Sequence, residues 1–142
     1  VTASRFRQVL VGWDGSANAA EALSAAAAIA GGDGGHVVAL AVLKAASRFE
    51  AADEDATARA DISQLADEHF ERARQTAPPG VRMSLRIVEN ERIGRTVCNY
   101  ATEHGFDLLV VGRHGDGGLL HPRLGRVAEA AVRDCPIPVL LV

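Results

Sequence analysis

Three glycines spaced Gly112-x2-Gly115-x9-Gly125 lie in VVGRHGDGGLLHPRLGR, residues 110–126, where an apolar run gives way to glycine, arginine and histidine. Glycine permits positive φ and close backbone approach, so such a loop leaves several N–H groups free to converge on an anion. A helix begins just after Gly125, and the partial positive charge of its N-terminus adds to the same place. Arg113, Arg123 and Arg126, with His114 and His121, face only Asp116 here, in a chain whose net charge is -3. Positive charge therefore gathers where phosphates would sit. The plainer alternative is a flexible connection between a strand and a helix.

Asp14 ends the first apolar run, QVLVGW, in Asp14-Gly15-Ser16. Its carboxylate could accept hydrogen bonds from a ribose or an adenine amino group, or help hold Mg²⁺; it could equally close an Asx turn before a helix. Val42, at the end of a second apolar run, is a candidate wall for adenine, or simply core. Lys44 is the only lysine and stands in Leu43-Lys44-Ala45, so the G-x-x-x-x-G-K-[ST] phosphate loop is absent. There is no G-x-S-x-G elbow and no H-E-x-x-H pair. Neither a Walker-type NTPase nor a standard hydrolase is expected.

The elements that must position these residues alternate. Gln8 to Trp13 reads as a buried strand and Ser16 to Ala30 as an alanine-rich helix, with capping-box spacing at Asn18-x-x-Glu21 and a stop at Gly31-Gly32. His36 to Leu43 is apolar on both faces, as a parallel strand covered on both sides requires. A polar, acidic connection over 44–55 leads into a long helix from about Ala56 to Ala77, which Pro78-Pro79-Gly80 terminates. Val81 to Glu89 alternates, with Arg82, Ser84 and Arg86 on the polar face, and predicts an edge strand. A helix over Glu91 to His104, a strand over Phe106 to Val111, a helix over Val127 to Asp134 and a last strand starting near Pro138 complete the order.

This βαβαβαβαβ alternation implies a single α/β domain spanning 1–142: a five-stranded parallel Rossmann-like sheet in order 3-2-1-4-5, with helices on both faces. Ligands of such sheets bind beyond the carboxyl ends of the strands where strand order reverses. Asp14 and Gly112 end the two strands that flank that point, so both site-like segments should face one crevice.

Bulk properties narrow the partners. With 142 residues, 48% of them hydrophobic, the chain suffices for one core. Its net charge argues against nucleic acid as a main partner. Cys98 and Cys135 form no C-x-x-C pair, as expected of a reduced, cytoplasmic protein. No run of eighteen apolar residues marks a membrane span.

VLVGWDGS, HVVALAVL and DLLVVGRHG followed by GGLLHPRLGRVAEAAVRDCPIPVLLV resemble the universal stress protein family over essentially the whole chain, most weakly between 44 and 80. The resemblance implies a five-stranded α/β domain, pairing as a homodimer through the last strand (Pro138 to Val142), and in one subgroup ATP binding through G-x2-G-x9-G-[S/T]. Position by position it places Gly112, Gly115 and Gly125 in the phosphate loop together with Arg113, Arg126 and Val127. Asp14 falls at the nucleoside end and Val42 at the adenine. Arg126 stands where that pattern has Ser or Thr, and Asn90 where many members have glycine. Losing the hydroxyl alone predicts roughly ten- to hundred-fold weaker ATP binding, unless the Arg126 guanidinium grips a phosphate instead.

The expectation is an ATP-binding stress-response sensor or regulator, with or without Mg²⁺ and with little or no turnover. Its rivals are a nucleotide-independent dimeric interaction module of the same fold, and a slow ATPase or self-phosphorylating protein.

Overall fold

The computed structural model describes residues 6–31, 34–43, 68, 70–72, 74, 75, 77, 80–90, 92–114 and 124–142. Strands β1 (Gln8–Gly12), β2 (His36–Leu43), β3 (Arg82–Glu89), β4 (Leu108–Val111) and β5 (Val139–Leu141) form one parallel sheet in order β3-β2-β1-β4-β5. Helices α1 (Ala17–Ile29), α2 (Ile93–Glu103) and α3 (Arg126–Asp134) connect them. The expected α/β fold and strand order are both present.

Continuous apolar runs mark the strands with two covered faces. Val9, Leu10 and Val11 of β1 and all four residues of β4 are buried. Period-two geometry sends Val9 and Val11 to the α1 side, with Val37 and Val110, and Leu10 to the opposite side, with Leu40, Leu109 and Val97. Each fully buried Leu or Val contributes roughly 1.5–3 kcal/mol, and with two packed layers the interior strands fix the register. The alanines of α1 (Ala19, Ala22, Ala26 and Ala27 are buried) let that helix lie close on the sheet. β3 is an edge strand as expected, with Arg82 and Arg86 exposed.

Three boundaries differ from the sequence expectation, each for a local reason. The cap of α1 is Ser16, whose hydroxyl accepts the Ala19 N–H at 3.1 Å. The Asn18-x-x-Glu21 capping box is therefore not used, and Asn18 lies inside the helix with its carboxamide directed elsewhere. α2 starts at Ile93 rather than Glu91, because Asn90 Oδ1 accepts the Arg92 N–H at 3.0 Å and holds the preceding turn. β4 starts at Leu108: the Asp107 carboxylate takes the N–H groups of Arg7 and Gln8 at 3.1 and 2.9 Å, tying the strand's start to β1.

Of the long helix expected over 56–77, residues 68, 70–72, 74 and 75 are helical, Ala77 is already past the helix in a bend, and the remainder lies outside the described residues. Phe70 from this segment is buried edge-on to Trp13, ring centroids 6.3 Å apart. β5 begins directly after Pro138, which gives only its carbonyl to the sheet, accepting the Leu109 N–H at 3.0 Å.

Candidate functional site

Where β1 and β4 end, α1 lies on one side of the sheet and α2 and α3 on the other, leaving a cavity of about 300 Å³ at the reversal of strand order. That volume is at the small end of the usual ligand-site range of roughly 300–1,000 Å³. Leu40, Val42, Ile93 and Val97 make much of its apolar wall, and Ile87, 54% exposed on the edge strand, stands among them.

Seven of the residues singled out in the sequence line that one cavity: Asp14, Val42, Gly112, His114, Gly125, Arg126 and Val127. Arg113 does not belong to the wall. Its side chain is exposed, its N–H donates to the Val142 carbonyl at 2.9 Å, and its own carbonyl accepts the Gly125 N–H at 2.7 Å. Gly115 lies outside the described residues, as do Arg123 and His121.

The glycines act differently from the positive-φ expectation. Gly125 is the N-cap of α3 at φ -64° and ψ 162°, ordinary extended backbone, and Gly112 is not among the residues with positive φ. Close approach explains Gly112: a Cβ there would stand 2.6 Å from Asn18 Oδ1, closer than any side-chain carbon tolerates. Positive φ occurs instead at Gly15 (77°), in the turn after Asp14.

Asp14 is exposed at the mouth, and its Oδ1 accepts the Ser16 N–H at 2.9 Å. The Asx turn therefore exists, and the residue that closes it also lines the cavity. Gly125 supplies no side-chain cap to α3, so among the described residues no side chain caps the first turn of that helix, which lies beside Arg126 and His114. Arg126 is exposed, and among the described residues no carboxylate pairs with it. An acidic group therefore flanks the β1 side of the opening, while helix dipole, guanidinium and imidazole occupy the α3 side.

Sequence reasoning passed over Trp13. It lines the cavity at 4% exposure, and its Nε1 is buried without a hydrogen-bond partner among the described residues. A buried donor left unmet costs roughly 1–3 kcal/mol, so its presence on a cavity wall fits a ligand that brings an acceptor. No signal in the sequence announces this, since a strand-end tryptophan looks like core. Ile87 and Ile93 were hidden for a similar reason: β2–β3 register and the α2 start decide what they face.

A five-stranded parallel sheet in this order, with an apolar cavity at its switch point and a helix N-terminus at the mouth, defines a Rossmann-like α/β protein. The universal stress protein family model matches residues 5–142, and the chain belongs to that family. A universal stress protein of Mycobacterium tuberculosis is 32% identical, covering 98% of this chain and 97% of the relative. Among solved structures, a universal stress protein in complex with cAMP aligns with TM-score 0.66 at 24% identity, covering 96% of each chain. One from Archaeoglobus fulgidus in complex with dAMP aligns with TM-score 0.63 at 19% identity, covering 96% of this chain and 97% of that one.

Proposed function

We propose that this protein binds an adenine nucleotide, ATP among them, in the switch-point cavity and acts as a stress-response sensor or regulator with little or no turnover. The observation that carries the proposal is the polarity of the cavity: apolar walls deep between the strands, and the α3 N-terminus with Arg126 at one lip. A nucleotide has the same polarity, an apolar aromatic base and a charged phosphate end. The family members in complex with cAMP and dAMP support the choice of adenine.

In this arrangement Val42 lies against the base, Asp14 meets the nucleoside hydroxyls, and Gly112, Gly115, Gly125 and Val127 form the backbone cradle for phosphate. Arg126 replaces the hydroxyl of the G-x2-G-x9-G-[S/T] pattern with a charged donor, which pairs with phosphate more strongly than a neutral one. Were Mg²⁺ to accompany the nucleotide, Asp14 would be the carboxylate available to help hold it, in place of its contact with the nucleoside. A second copy pairs along the outer edge of β5, through Pro138 to Val142, and the protein works in the cytoplasm. Among the described residues no helix is long and apolar enough to cross a membrane.

Trp13 is the only tryptophan and lines the cavity, so its fluorescence reports occupancy directly. Titration with Mg-ATP and with cAMP should give saturable changes, and ligand at about a hundred times Kd should stabilise the fold by roughly 2.7 kcal/mol. Arg126→Ala should weaken ATP roughly ten- to hundred-fold, the loss of one charge-assisted hydrogen bond. Unchanged fluorescence and melting temperature at millimolar concentrations of both nucleotides would overturn the assignment. Phosphate release above the level of the Arg126→Ala chain would favour the slow ATPase instead.

A further inference from the structure

Asn18 sits in the first turn of α1, half-buried, and its carboxamide joins two segments distant in sequence. Its Oδ1 accepts the His114 N–H at 2.8 Å, in the segment that follows β4 and opens the glycine loop. Its Nδ2 donates to the Val142 carbonyl at 3.0 Å, immediately after β5. That carbonyl also accepts the Arg113 N–H at 2.9 Å, and the Val142 N–H donates to the Val111 carbonyl at 3.0 Å.

The carboxamide makes both bonds at once because its Oδ1 accepts from one neighbour while its Nδ2 donates to the other. Aspartate could keep the His114 bond but would set a second oxygen against the Val142 carbonyl. Gly112 belongs to the same device, since a side chain there would displace Asn18 Oδ1. Gly125 closes it on the other side through its N–H to the Arg113 carbonyl. The loop before α3, the start of α1 and the end of β5 thus share one small hydrogen-bonded joint. β5 itself is an edge strand, bonded on one side only by β4.

We propose that Asn18 is a positioning residue that couples the Gly112–His114 end of the glycine loop to the last strand, so that a phosphate-bearing ligand seated beside His114 and Gly125 also tightens Val139 to Val142. The ligand half rests on the nucleotide assignment above; the joint itself does not. Site occupancy would in this way set how firmly the edge strand is held for pairing with another chain, through a contact shared by both rather than by a long-range relay.

Amide hydrogen exchange followed by NMR tests it, on the unmodified chain and on Asn18→Ala and Asn18→Asp, each with and without Mg-ATP. Without ligand, Asn18→Ala should speed exchange at His114 and also at Arg113 and Val142, each by roughly three- to tenfold. Asn18→Asp should retain protection at His114 and lose it at Arg113 and Val142. A change confined to His114 in Asn18→Ala would overturn the coupling.

With Mg-ATP, the unmodified chain should slow exchange over Val139 to Val142, and Asn18→Asp should bind, by Trp13 fluorescence, without that slowing. Binding with no slowing in the unmodified chain would also overturn the coupling. If Trp13 shows that ATP does not bind at all, the nucleotide assignment falls, and the ligand-free comparison still decides whether Asn18 joins loop and strand.

Discussion

Gly94 lies one residue into α2, and a Cβ built on it would stand 2.6 Å from the Ala130 Cβ of α3. Methyl carbons rest at roughly 3.5–4.0 Å, so Gly94→Ala forces the two helices apart by about 1 Å. Overpacking of that kind costs roughly 1–3 kcal/mol, while alanine regains about 0.8–1.0 kcal/mol of helix propensity over glycine. The net expectation is a loss of about 0–2 kcal/mol in urea unfolding with an unchanged m-value, and a Tm lower by up to roughly 6 °C. The consequence reaches the site, because Ile93 and Val97 of α2 and Val127 and Ala128 of α3 all line the cavity.

The compensating change is Ala130→Gly, which alone costs about 1 kcal/mol of helix propensity. In the double variant the methyl merely changes helix, the clash disappears and the propensity costs nearly cancel. Its stability should return to within about 0.5 kcal/mol of the original, a coupling of roughly 1–3 kcal/mol in the thermodynamic cycle. Strictly additive effects, or a Gly94→Ala chain more stable than the original, would refute the idea that helix contact at this pair sets the spacing of the cavity walls.

The remaining predictions concern two titratable groups away from the cavity. His36, whose Nε2 lies 2.9 Å from Ser84 Oγ, has its pKa held below the usual 6.5 by burial and then by the Arg82 and Arg86 guanidiniums. The unfolded chain therefore takes up that proton first; stability is complete above pH 6.5 and falls as pH drops toward the lowered folded value. His36→Gln should lose less stability than the original between pH 7.5 and 5 in urea titrations, and parallel curves would sink the prediction. Burial, and then the neighbouring Cys135 thiol, push Cys98 up to about 12. At pH 8 iodoacetamide should therefore label half-buried Cys135 in the folded chain and reach Cys98 only in denaturant, with peptide mapping as the check and equal rates as the contrary result.

Much of the architecture was legible because parallel strands covered on both faces must be apolar throughout. QVLVG, HVVALAVL and LLVV carry that signature whatever surrounds them. Alternation of such runs with helical segments leaves little choice of topology, and topology places Asp14 and Gly112 at one crevice. Element ends were less legible. Ser16 and Asn18 are both good capping residues, and only the chain's path selects Ser16 and frees Asn18 for other partners.

By itself, then, the sequence determined the fold class, the strand order and the end of the sheet at which the cavity opens, since local periodicity and the alternation of elements carry those. Tertiary structure alone decided which side chains share the site. Trp13 meets the cavity without, among the described residues, a partner for its N–H, Ile87 and Ile93 enter the wall, Arg113 is exposed outside it, and Cys98 meets Cys135. Each of these depends on register and helix spacing across residues far apart in the chain. Pairwise approach of that kind is absent from any local pattern of residue types.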